Sequence, residues 1–403
     1  MSTLSQIVIA GASLAGLRAA EALRQLGYEG KLSLIGAEQA LPYDRPPLSK
    51  EILRGDWEPE QTTLVRDPAR FDALELDLRL GCRATGIDVR SRRIALADGS
   101  DLAFDGLLIA TGAAPRKLPS QDGLAGVSVL RTLEQAVALR SALEHTPRVA
   151  VVGAGFIGAE VAASCRSRGL EVAMIEALPV PIERAVGADV GQTIAQVHRD
   201  HGVDVRLGVG VEALEGGERV ERLRLSDGSA VEADIVVVGI GVAPCTEWLA
   251  GSGIELGNGV LCDAHCATNV PGIVAAGDVA QWHNPLFDED MRIEHWSNAA
   301  EMARAAVETL LAGSGEAPAY ESVPFFWSDQ FDLKIQSAGR LVDADESVVV
   351  HGSLEERNFL KLYGRKGRLV GALAFNQARK LISYRRKLRQ PVAFADAIAE
   401  IQA

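Results

Sequence analysis

The chain has 403 residues, enough for two or three domains with large buried cores. Its composition, 47% hydrophobic and 24% charged with 40 Gly and 16 Pro, excludes the disordered and fibrous classes. The net charge of −13 argues against a nucleic-acid partner. The longest apolar runs, such as residues 235–238, fall far short of the ~20 residues of a membrane helix, and no signal-peptide pattern opens the chain. We therefore expect a cytoplasmic protein with no membrane partner.

The five cysteines are sparse and odd in number, which predicts reduced thiols rather than a disulfide framework. The stretch Cys262-Asp263-Ala264-His265-Cys266 superficially suggests a metal site. A single His and the lack of a second Cys pair make it a poor zinc pattern, so we expect no metal.

Two copies of one pattern follow each other along the chain. In the first copy, an apolar strand at 7–10 leads into a Gly-rich turn at 11–16, and a helix to about Leu26 and a strand at 31–35 follow. A hairpin at Asp98-Gly99 and an apolar strand at 107–110 complete it.

The second copy repeats these elements. A strand at 149–152, a Gly-rich turn at 153–158, a helix to about Arg168 and a strand at 171–175 precede a hairpin at Asp227-Gly228 and a strand at 235–238. The first copy is longer by about 13 residues, which we assign to the proline-rich stretch 41–50.

Each Gly-rich turn predicts a dinucleotide site. Such a turn lets the backbone approach a pyrophosphate and points a helix N-terminus, with its free N–H groups, at the anion. One turn alone is weak evidence, but two turns in the same strand–turn–helix context predict two bound dinucleotides. The turn residues concerned are Gly11, Ser13, Ala15 and Gly16 in the first copy, and Gly153, Gly155, Phe156, Ile157 and Gly158 in the second.

The two predicted sites differ in their acidic residues. Glu176 ends the second strand of the second copy, where a carboxylate accepts hydrogen bonds from ribose hydroxyls and repels a 2′-phosphate, so we expect NADH rather than NADPH. In the first copy the equivalent position is Gly36, and Glu38 is the candidate for the ribose.

The C-terminal part has a different charge from the rest. Residues 323–403 hold 13 Lys and Arg against nine Asp and Glu, whereas the other residues hold 28 against 45. From Arg357 to Arg389 there are 11 basic residues and no acidic one. This indicates a surface for an acidic partner, with a solvated basic helix as the alternative.

With these residues in view, the chain resembles the pyridine-nucleotide-disulfide reductase superfamily, and within it the ferredoxin reductases of aromatic-ring dioxygenase and cytochrome P450 systems. The most specific carriers are Pro42-Tyr43-Asp44-Arg45-Pro46-Pro47-Leu48-Ser49-Lys50 and Phe326-Trp327-Ser328-Asp329-Gln330. The others are the two Gly-rich turns, the latter extended to Glu160, together with residues 110–112, 276–278 and 295–296.

The resemblance implies a glutathione-reductase-like α/β fold with two Rossmann-like dinucleotide-binding domains and a C-terminal α/β domain. By this resemblance the NAD domain is expected to be inserted in the FAD domain. The expected division is residues 1–113 and 246–322 for FAD, 114–245 for NAD(H), and 323–403 for the C-terminal domain.

The resemblance also implies further cofactor-binding residues. Asp278 is expected at the ribityl and phosphate region of FAD, which is compatible with its capping a helix. For Arg45 and Arg131, expected near FAD, a surface salt bridge is the alternative, and for Trp296, expected near the isoalloxazine, it is core packing. The remaining residues of this set are Pro46, Ala110, Thr111, Gly112 and Gly277.

Three residues are candidates for catalysis by the same resemblance. Lys50 is expected near the flavin N5 and C4 carbonyl, with Glu160 as its partner. Trp327 is expected on the acceptor side of the ring. The alternatives are an exposed loop lysine for Lys50 and a first-turn helix glutamate for Glu160.

The expected activity is transfer of a hydride from NADH to FAD, followed by single-electron transfer to an acidic 2Fe-2S ferredoxin that docks near the basic C-terminal domain. No Cys precedes Cys82, so the thiol relay of disulfide reductases is not expected. A rubredoxin or monodehydroascorbate reductase, and a redox-sensing interaction protein resembling apoptosis-inducing factor, are the alternatives. The sequence leaves open whether the protein is a monomer or a dimer.

Overall fold

A computed structural model describes residues 4–119, 123–313 and 316–402 of the chain. No helix in this described part is both long and apolar enough to cross a bilayer. The chain separates into two compact units, each built from three segments. Unit one comprises Met1–Asp44, Thr63–Ala114 and Ala243–Pro324, and unit two comprises Arg45–Thr62, Pro115–Val242 and Phe325–Ala403.

A five-stranded parallel sheet forms the centre of unit one. Four of its strands are rich in small and aliphatic residues and are largely buried, as expected of a parallel sheet covered on both faces, whereas the edge strand Leu76–Arg79 is partly exposed. The strand order is Ile273–Ala275, Gly106–Ile109, Gln6–Ala10, Lys31–Ile35 and Leu76–Arg79.

Two helices of unit one, Leu14–Gln25 and Trp296–Ala312, pack on each other and bury small residues such as Ala19 and Ala303. Shorter helices and 3₁₀ turns of this unit are Pro68–Asp72, Glu247–Leu249 and Gly277–Val279. Two smaller sheets complete it. One is antiparallel and is formed by Ala84–Asp88, Arg93–Leu96 and Asp101–Ala103. The other is mixed and has the strand order Leu256–Gly257, Gly259–Cys262, Ala280–Asn284 and Glu289–Met291.

Unit two contains a second five-stranded parallel sheet. The strand order is Asp204–Leu207, Val172–Glu176, Val149–Val152, Ile235–Val238 and Val127–Val129. A three-stranded antiparallel sheet follows, formed by Val211–Gly216, Val220–Leu225 and Ala230–Glu232. Two further short strands, Ala113–Pro115 and Val242–Pro244, lie where the chain passes between the units.

The C-terminal segment of unit two forms a five-stranded antiparallel sheet. Its strand order is Phe325–Gln330, Leu333–Gly339, Arg368–Phe375, Asn358–Arg365 and Glu346–Ser353. The helices and 3₁₀ turns of unit two are Pro46–Ser49, Glu51–Arg54, Pro59–Thr62, Leu133–Ala142, Leu143–His145, Phe156–Ser167, Glu183–Val186, Ala188–Asp200, Ala378–Lys387 and Phe394–Gln402.

The two parallel sheets confirm the predicted repeat and the α/β class. In both, the strand before the Gly-rich turn lies between the second and third strands of its copy, in parallel register. Both predicted hairpins are present, at Asp98-Gly99 and Asp227-Gly228. The domain boundaries drawn from the sequence stay a prediction.

Candidate functional site

The first Gly-rich turn lies in unit one, between the strand Gln6–Ala10 and the helix Leu14–Gln25. Gly11 has a φ of 129°, and a Cβ added there would lie 2.0 Å from the carbonyl oxygen of Ala110. A Cβ added at Gly16 would lie 1.9 Å from the carbonyl oxygen of Gly11. Close backbone packing therefore requires glycine at both positions.

Residues 110–112 border this turn. The Cβ built at Gly11 would also lie 3.0 Å from the backbone nitrogen of Thr111, and the Thr111 hydroxyl donates a hydrogen bond to the carbonyl of Cys245 at 2.8 Å. The structure thus brings the predicted residues Ala110, Thr111 and Gly112 to the first turn.

The turn Gly277–Val279 lies against the same helix. Gly277 has a φ of 78°, and a Cβ added there would lie 3.3 Å from the Cβ of Ala15. Arg292 holds this turn by donating from Nη1 to the carbonyl oxygen of Asp278 at 3.0 Å. Asp278 is therefore next to the N-terminus of the first helix, where an anion is stabilised.

Two side chains from the proline-rich stretch hold two of the predicted residues in unit one. The Tyr43 hydroxyl donates to Oε2 of Glu38 at 2.5 Å. The indole nitrogen of Trp296 donates to Oδ1 of Asp44 at 2.7 Å. Glu38 and Trp296 are thus fixed by adjacent residues, a connection that the sequence did not reveal.

The second Gly-rich turn lies in unit two, between Val149–Val152 and the helix Phe156–Ser167. Gly153 has a φ of 96°, and a Cβ added there would lie 2.4 Å from the carbonyl oxygen of Gly239. A Cβ added at Gly158 would lie 1.9 Å from the carbonyl oxygen of Gly153. The backbone requirements of the first turn therefore recur here.

The middle position distinguishes the two turns. A Cβ added at Gly155 would meet none of the described atoms within 4 Å, so the structure has open space on this side of the turn. The absent side chain thus leaves room for a ligand rather than for the protein's own packing. In the first turn the same position is Ser13, which adds only a small hydroxyl.

Apolar side chains lie beside the second turn. Ile157 is 47% exposed and Ile240 is 37% exposed. The ring of Phe156 packs against that of Phe326, with centroids 4.4 Å apart. The second turn therefore contacts the strand Phe325–Gln330, which carries Trp327.

Glu176 reaches the second turn from the end of its strand. Its Oε2 accepts a hydrogen bond from the backbone N–H of Ala154 at 2.7 Å, and its Oε1 accepts one from the N–H of Leu178 at 2.9 Å. These bonds fix the carboxylate at the position predicted for ribose recognition, and each oxygen keeps a second lone pair for a ligand.

Lys50 and Glu160 form a buried ion pair in unit two. The Lys50 ammonium donates to Oε2 of Glu160 at 2.8 Å, and the Ser49 hydroxyl donates to the same oxygen at 2.5 Å. Lys50 is 4% exposed and Glu160 is 3% exposed. The exposed loop lysine considered from the sequence is therefore wrong for Lys50.

Three further predicted residues of unit two are Arg45 and Pro46, which precede Lys50 in the chain, and Arg131, which contacts Arg45. Pro46 begins the 3₁₀ turn Pro46–Ser49 that leads to Lys50. Nη1 of Arg45 donates to the carbonyl oxygen of Arg131 at 2.6 Å, so the two arginines predicted near FAD are neighbours.

Three polar residues beyond Glu160 were not predicted as site residues from the sequence. Ser328 donates to Oε1 of Glu160 at 2.7 Å, Gln330 donates to the Ser328 hydroxyl oxygen at 3.1 Å, and Nε2 of His198 lies 3.1 Å from Oε1 of Gln330. Ser328, Gln330 and His198 are all fully buried. The only available signal was the string Trp327-Ser328-Asp329-Gln330, which carried the family resemblance and places three polar residues in succession.

The cysteines lie apart from this chemistry. None of the five is joined in a disulfide, and burial raises the pKa of Cys165 to about 12 and that of Cys266 well above its usual range. These two thiols stay protonated near neutral pH. Within the described ranges no cluster of His, Cys, Asp or Glu has the form of a metal site.

Both turns fit the phosphates of a dinucleotide. Each combines glycines that the packing demands with a helix N-terminus, and the second leaves open space at its middle glycine. Fixed carboxylates, Glu38 and Glu176, stand near the end of the following strand in each copy.

Comparison with known proteins matches most of the chain to two family models. One, described as pyridine nucleotide-disulphide oxidoreductase, matches residues 5–303, and another, described as reductase C-terminal, matches residues 325–400.

Individual relatives match over nearly the full length. Rhodocoxin reductase of Rhodococcus erythropolis is 37% identical over 95% of this chain and 89% of its own. The ferredoxin--NAD(+) reductase component of the p-cumate 2,3-dioxygenase system of Pseudomonas putida is 42% identical over 85% of each chain. The reductase in a crystal structure of the covalent putidaredoxin reductase–putidaredoxin complex superposes with a TM-score of 0.92 at 32% identity, covering 98% of both chains. By these matches the chain belongs to the pyridine nucleotide-disulphide oxidoreductase family and carries the reductase C-terminal domain.

Proposed function

We propose that this protein oxidises NADH with a bound FAD and delivers the electrons one at a time to a 2Fe-2S ferredoxin that supplies an oxygenase. The observation that carries the proposal is the match to ferredoxin--NAD(+) reductases along both family segments, the reductase C-terminal part included. FAD, when bound, accepts two electrons at once and releases them singly.

The residues of unit one bind FAD. The backbone of Gly11, Ser13 and Gly16 approaches the pyrophosphate, and the N–H groups of the first helix turn face its charge. Asp278 accepts hydrogen bonds near the ribityl chain, and Glu38, held by Tyr43, accepts them from the ribose. Support comes from the packing at the first turn and from the hydrogen bonds that hold these carboxyl-bearing residues.

The second turn binds NADH. The open face at Gly155 admits the pyrophosphate, and Glu176 accepts hydrogen bonds from the ribose hydroxyls. Its negative charge disfavours the 2′-phosphate of NADPH. The two backbone N–H groups that hold Glu176 support this orientation.

Lys50 places a positive charge beside the flavin ring and stabilises the negative charge that the ring gains on reduction. Glu160 holds the ammonium in place. Arg45 and Arg131 bind the FAD phosphates or adenine, and Trp296 lies near the isoalloxazine. The buried ion pair and the contact between the two arginines support these roles.

The ferredoxin docks on the basic side of the C-terminal segment. Arg379, Lys380, Arg386 and Arg389 are exposed on or just after the helix Ala378–Lys387. The Arg385 guanidinium lies 4.8 Å from the centroid of the Phe325 ring, which lies 6.4 Å from that of Trp327. This stacking supports a docking surface that is continuous with Trp327, the proposed exit for electrons.

Two further statements belong to this proposal. The domain division at residues 113/114, 245/246 and 322/323 is one, and it is supported by the segment ends at Ala114, Val242 and Pro324. A cytoplasmic location is the other, and the five cysteines, none of them joined in a disulfide, support it.

The decisive experiment measures electron transfer from NADH, through the purified flavin-loaded protein, to a panel of ferredoxins and a rubredoxin, with NADPH as the alternative donor. We expect rapid multiple turnover with NADH and at least one acidic 2Fe-2S ferredoxin, and much slower turnover with NADPH. Faster reduction of the rubredoxin than of every ferredoxin, or equal rates with the two nucleotides, would contradict the proposal.

A further inference from the structure

Glu160 is the end of a buried hydrogen-bond chain that runs through three elements of unit two. The chain passes from Glu160 in the helix Phe156–Ser167 to Ser328 and Gln330 in the strand Phe325–Gln330, and on to His198. None of these residues is more than 3% exposed, so the protein itself must satisfy their polar atoms.

The direction of every bond in the chain is fixed from the Glu160 end. An ionised carboxylate only accepts hydrogen bonds, so the Ser328 hydroxyl must donate its one hydrogen to Oε1 of Glu160. The Ser328 oxygen is then the acceptor for Gln330, whose amide nitrogen lies 3.1 Å away. The amide oxygen of Gln330 consequently faces Nε2 of His198 and accepts from it.

The His198 end requires the same direction. Burial lowers the pKa of His198 to about 4, so its ring is neutral near pH 7 and carries a single N–H. Among the described residues Nδ1 of His198 has no hydrogen-bond partner, so a hydrogen there would be a buried donor without an acceptor. The hydrogen therefore belongs on Nε2, which donates to Gln330.

We infer that Ser328, Gln330 and His198 are positioning residues that fix the Glu160 carboxylate for Lys50. All three donors point toward the carboxylate, and hydrogen bonds aligned in this way strengthen one another. Oε1 is held by Ser328, while Oε2 is held by Ser49 and Lys50, so the carboxylate cannot rotate without breaking a bond. The inference rests on the proposed function, in which Lys50 acts beside the flavin.

A test that does not depend on turnover is the tautomer of His198. In protein labelled with ¹⁵N-histidine and loaded with FAD, we expect the His198 signals at pH 7 to be those of a neutral ring with hydrogen on Nε2. The same measurement on the Gln330→Met variant, which lacks the amide oxygen that accepts from Nε2, shows how far that signal depends on this hydrogen bond. A hydrogen on Nδ1, or a charged ring, would contradict the inferred direction of the hydrogen bonds and overturn the inference.

The second test is a double-mutant cycle on the rate of flavin reduction by NADH in stopped flow. We expect Ser328→Ala to slow reduction about 10-fold, the effect of losing a hydrogen bond to a charged group, with the KM for NADH unchanged. In a Lys50→Met background the same substitution should change the rate less than about 2-fold, because the residue acts only through the ion pair. The matched control Ser337→Ala, a buried serine on the neighbouring strand, should have no effect.

The outcomes separate the two proposals. Equal slowing by Ser328→Ala in both backgrounds would mean a general structural role and would overturn the inference. Failure of the unmodified protein to be reduced by NADH would overturn the proposed function, whereas the His198 tautomer reports on the chain itself. If Ser328→Ala does not fold, Gln330→Met takes its place in the cycle, with an expected slowing of about 3-fold.

Discussion

At the scale of single residues, the central feature is a buried charge with a full set of partners. The carboxylate of Glu160 accepts from Lys50, Ser49 and Ser328, and all four side chains are buried. Burying an ion pair is costly, and removing one partner costs more than the pair contributes, because the other charge is left without compensation. The Lys50–Glu160 pair therefore holds its charges in a fixed geometry, and loss of either partner should destabilise the fold.

The substitution Lys50→Met should therefore affect both stability and rate. It leaves Glu160 without its cation, so we expect the free energy of unfolding to fall by about 3 kcal/mol. Flavin reduction by NADH should slow about 10-fold or more, because the positive charge that we propose lies beside the ring is lost. Denaturant unfolding and stopped-flow absorbance measure the two effects.

The exposed lysine Lys31 provides the control. Lys31→Met should alter neither quantity. An unchanged rate of reduction in Lys50→Met would remove Lys50 from the catalytic account, whatever happened to the stability.

His198 makes the stability depend on pH. Burial lowers its pKa to about 4 from the usual 6.5, the hydrogen bond to Gln330 opposes this lowering in part, and the electrostatic effect of His201 adds to it. Between these two values the unfolded chain binds a proton that the folded chain does not, so acid favours unfolding. The free energy of unfolding should fall by up to about 3 kcal/mol as the pH drops from 6.5 to 4, and no further below that for this group.

Urea unfolding at a series of pH values checks this. Between pH 6.5 and 4, the free energy of unfolding of His198→Gln should depend less on pH than that of the unmodified protein. His145 is exposed, so the control variant His145→Gln should keep the original slope. Identical slopes for all three proteins would show that His198 does not titrate with the lowered pKa.

At the scale of elements, the two Gly-rich turns could be predicted because their requirements are local. Gly11 and Gly153 have positive φ values and close backbone neighbours, so the strand–turn–helix pattern shows in the residue types themselves. The strand bounds followed from the apolar runs, and 149–152 and 235–238 agree with the structure. The hairpin turns followed from Asp-Gly in the same way.

The surroundings of Glu160 could not be predicted in this way. Ser328 lies 168 residues from Glu160 in the chain, and His198 lies 132 residues from Gln330. Their contacts depend on how the strand Phe325–Gln330 packs on two distant helices, and no local preference for a secondary structure encodes that arrangement. Within the strand, burial of Ser328 and Gln330 alternates with partial exposure of Trp327 and Asp329.

The buried residues of this strand, Ser328 and Gln330, lie in the hydrogen-bond chain to Glu160, whereas Trp327 is partly exposed. Substitution of Trp327 therefore tests the proposed exit for electrons. Trp327→Ala should lower ferredoxin turnover about 10-fold, as expected of a central aromatic contact, while ferricyanide turnover changes less than about 2-fold. Steady-state assays with the two acceptors measure both. Trp57→Ala, at another half-buried tryptophan of unit two, serves as the control and should affect both acceptors alike. Equal losses in Trp327→Ala with the two acceptors would defeat the exit role.

At the scale of the whole molecule, the charge distribution complements the proposed direction of electron flow. The chain carries −13 overall, yet its last 81 residues hold 13 basic against nine acidic residues. Such an asymmetry steers an acidic partner to one region and repels it from the rest, and the effect weakens as salt screens the charges.

Charge reversal on the helix Ala378–Lys387 and just after it tests this steering. The double variant Arg386→Glu and Arg389→Glu should raise the KM for an acidic ferredoxin about 10-fold at low ionic strength, and less at high ionic strength. Turnover with ferricyanide measures whether the flavin chemistry is intact. The double variant Arg66→Glu and Arg90→Glu changes the net charge equally at exposed sites of unit one. An equal rise in KM in both double variants would indicate a net-charge effect and no localised docking surface.

The central claim is that electrons enter in pairs from NADH and leave singly to ferredoxin. The measurement that tests it most directly is an anaerobic titration of the FAD-loaded protein and excess oxidised ferredoxin with known amounts of NADH, followed by the absorbance of the iron–sulfur cluster. The account predicts that two ferredoxin molecules are reduced for each NADH consumed. NADH consumption without ferredoxin reduction, or a purified protein that remains colourless after incubation with FAD, would contradict it.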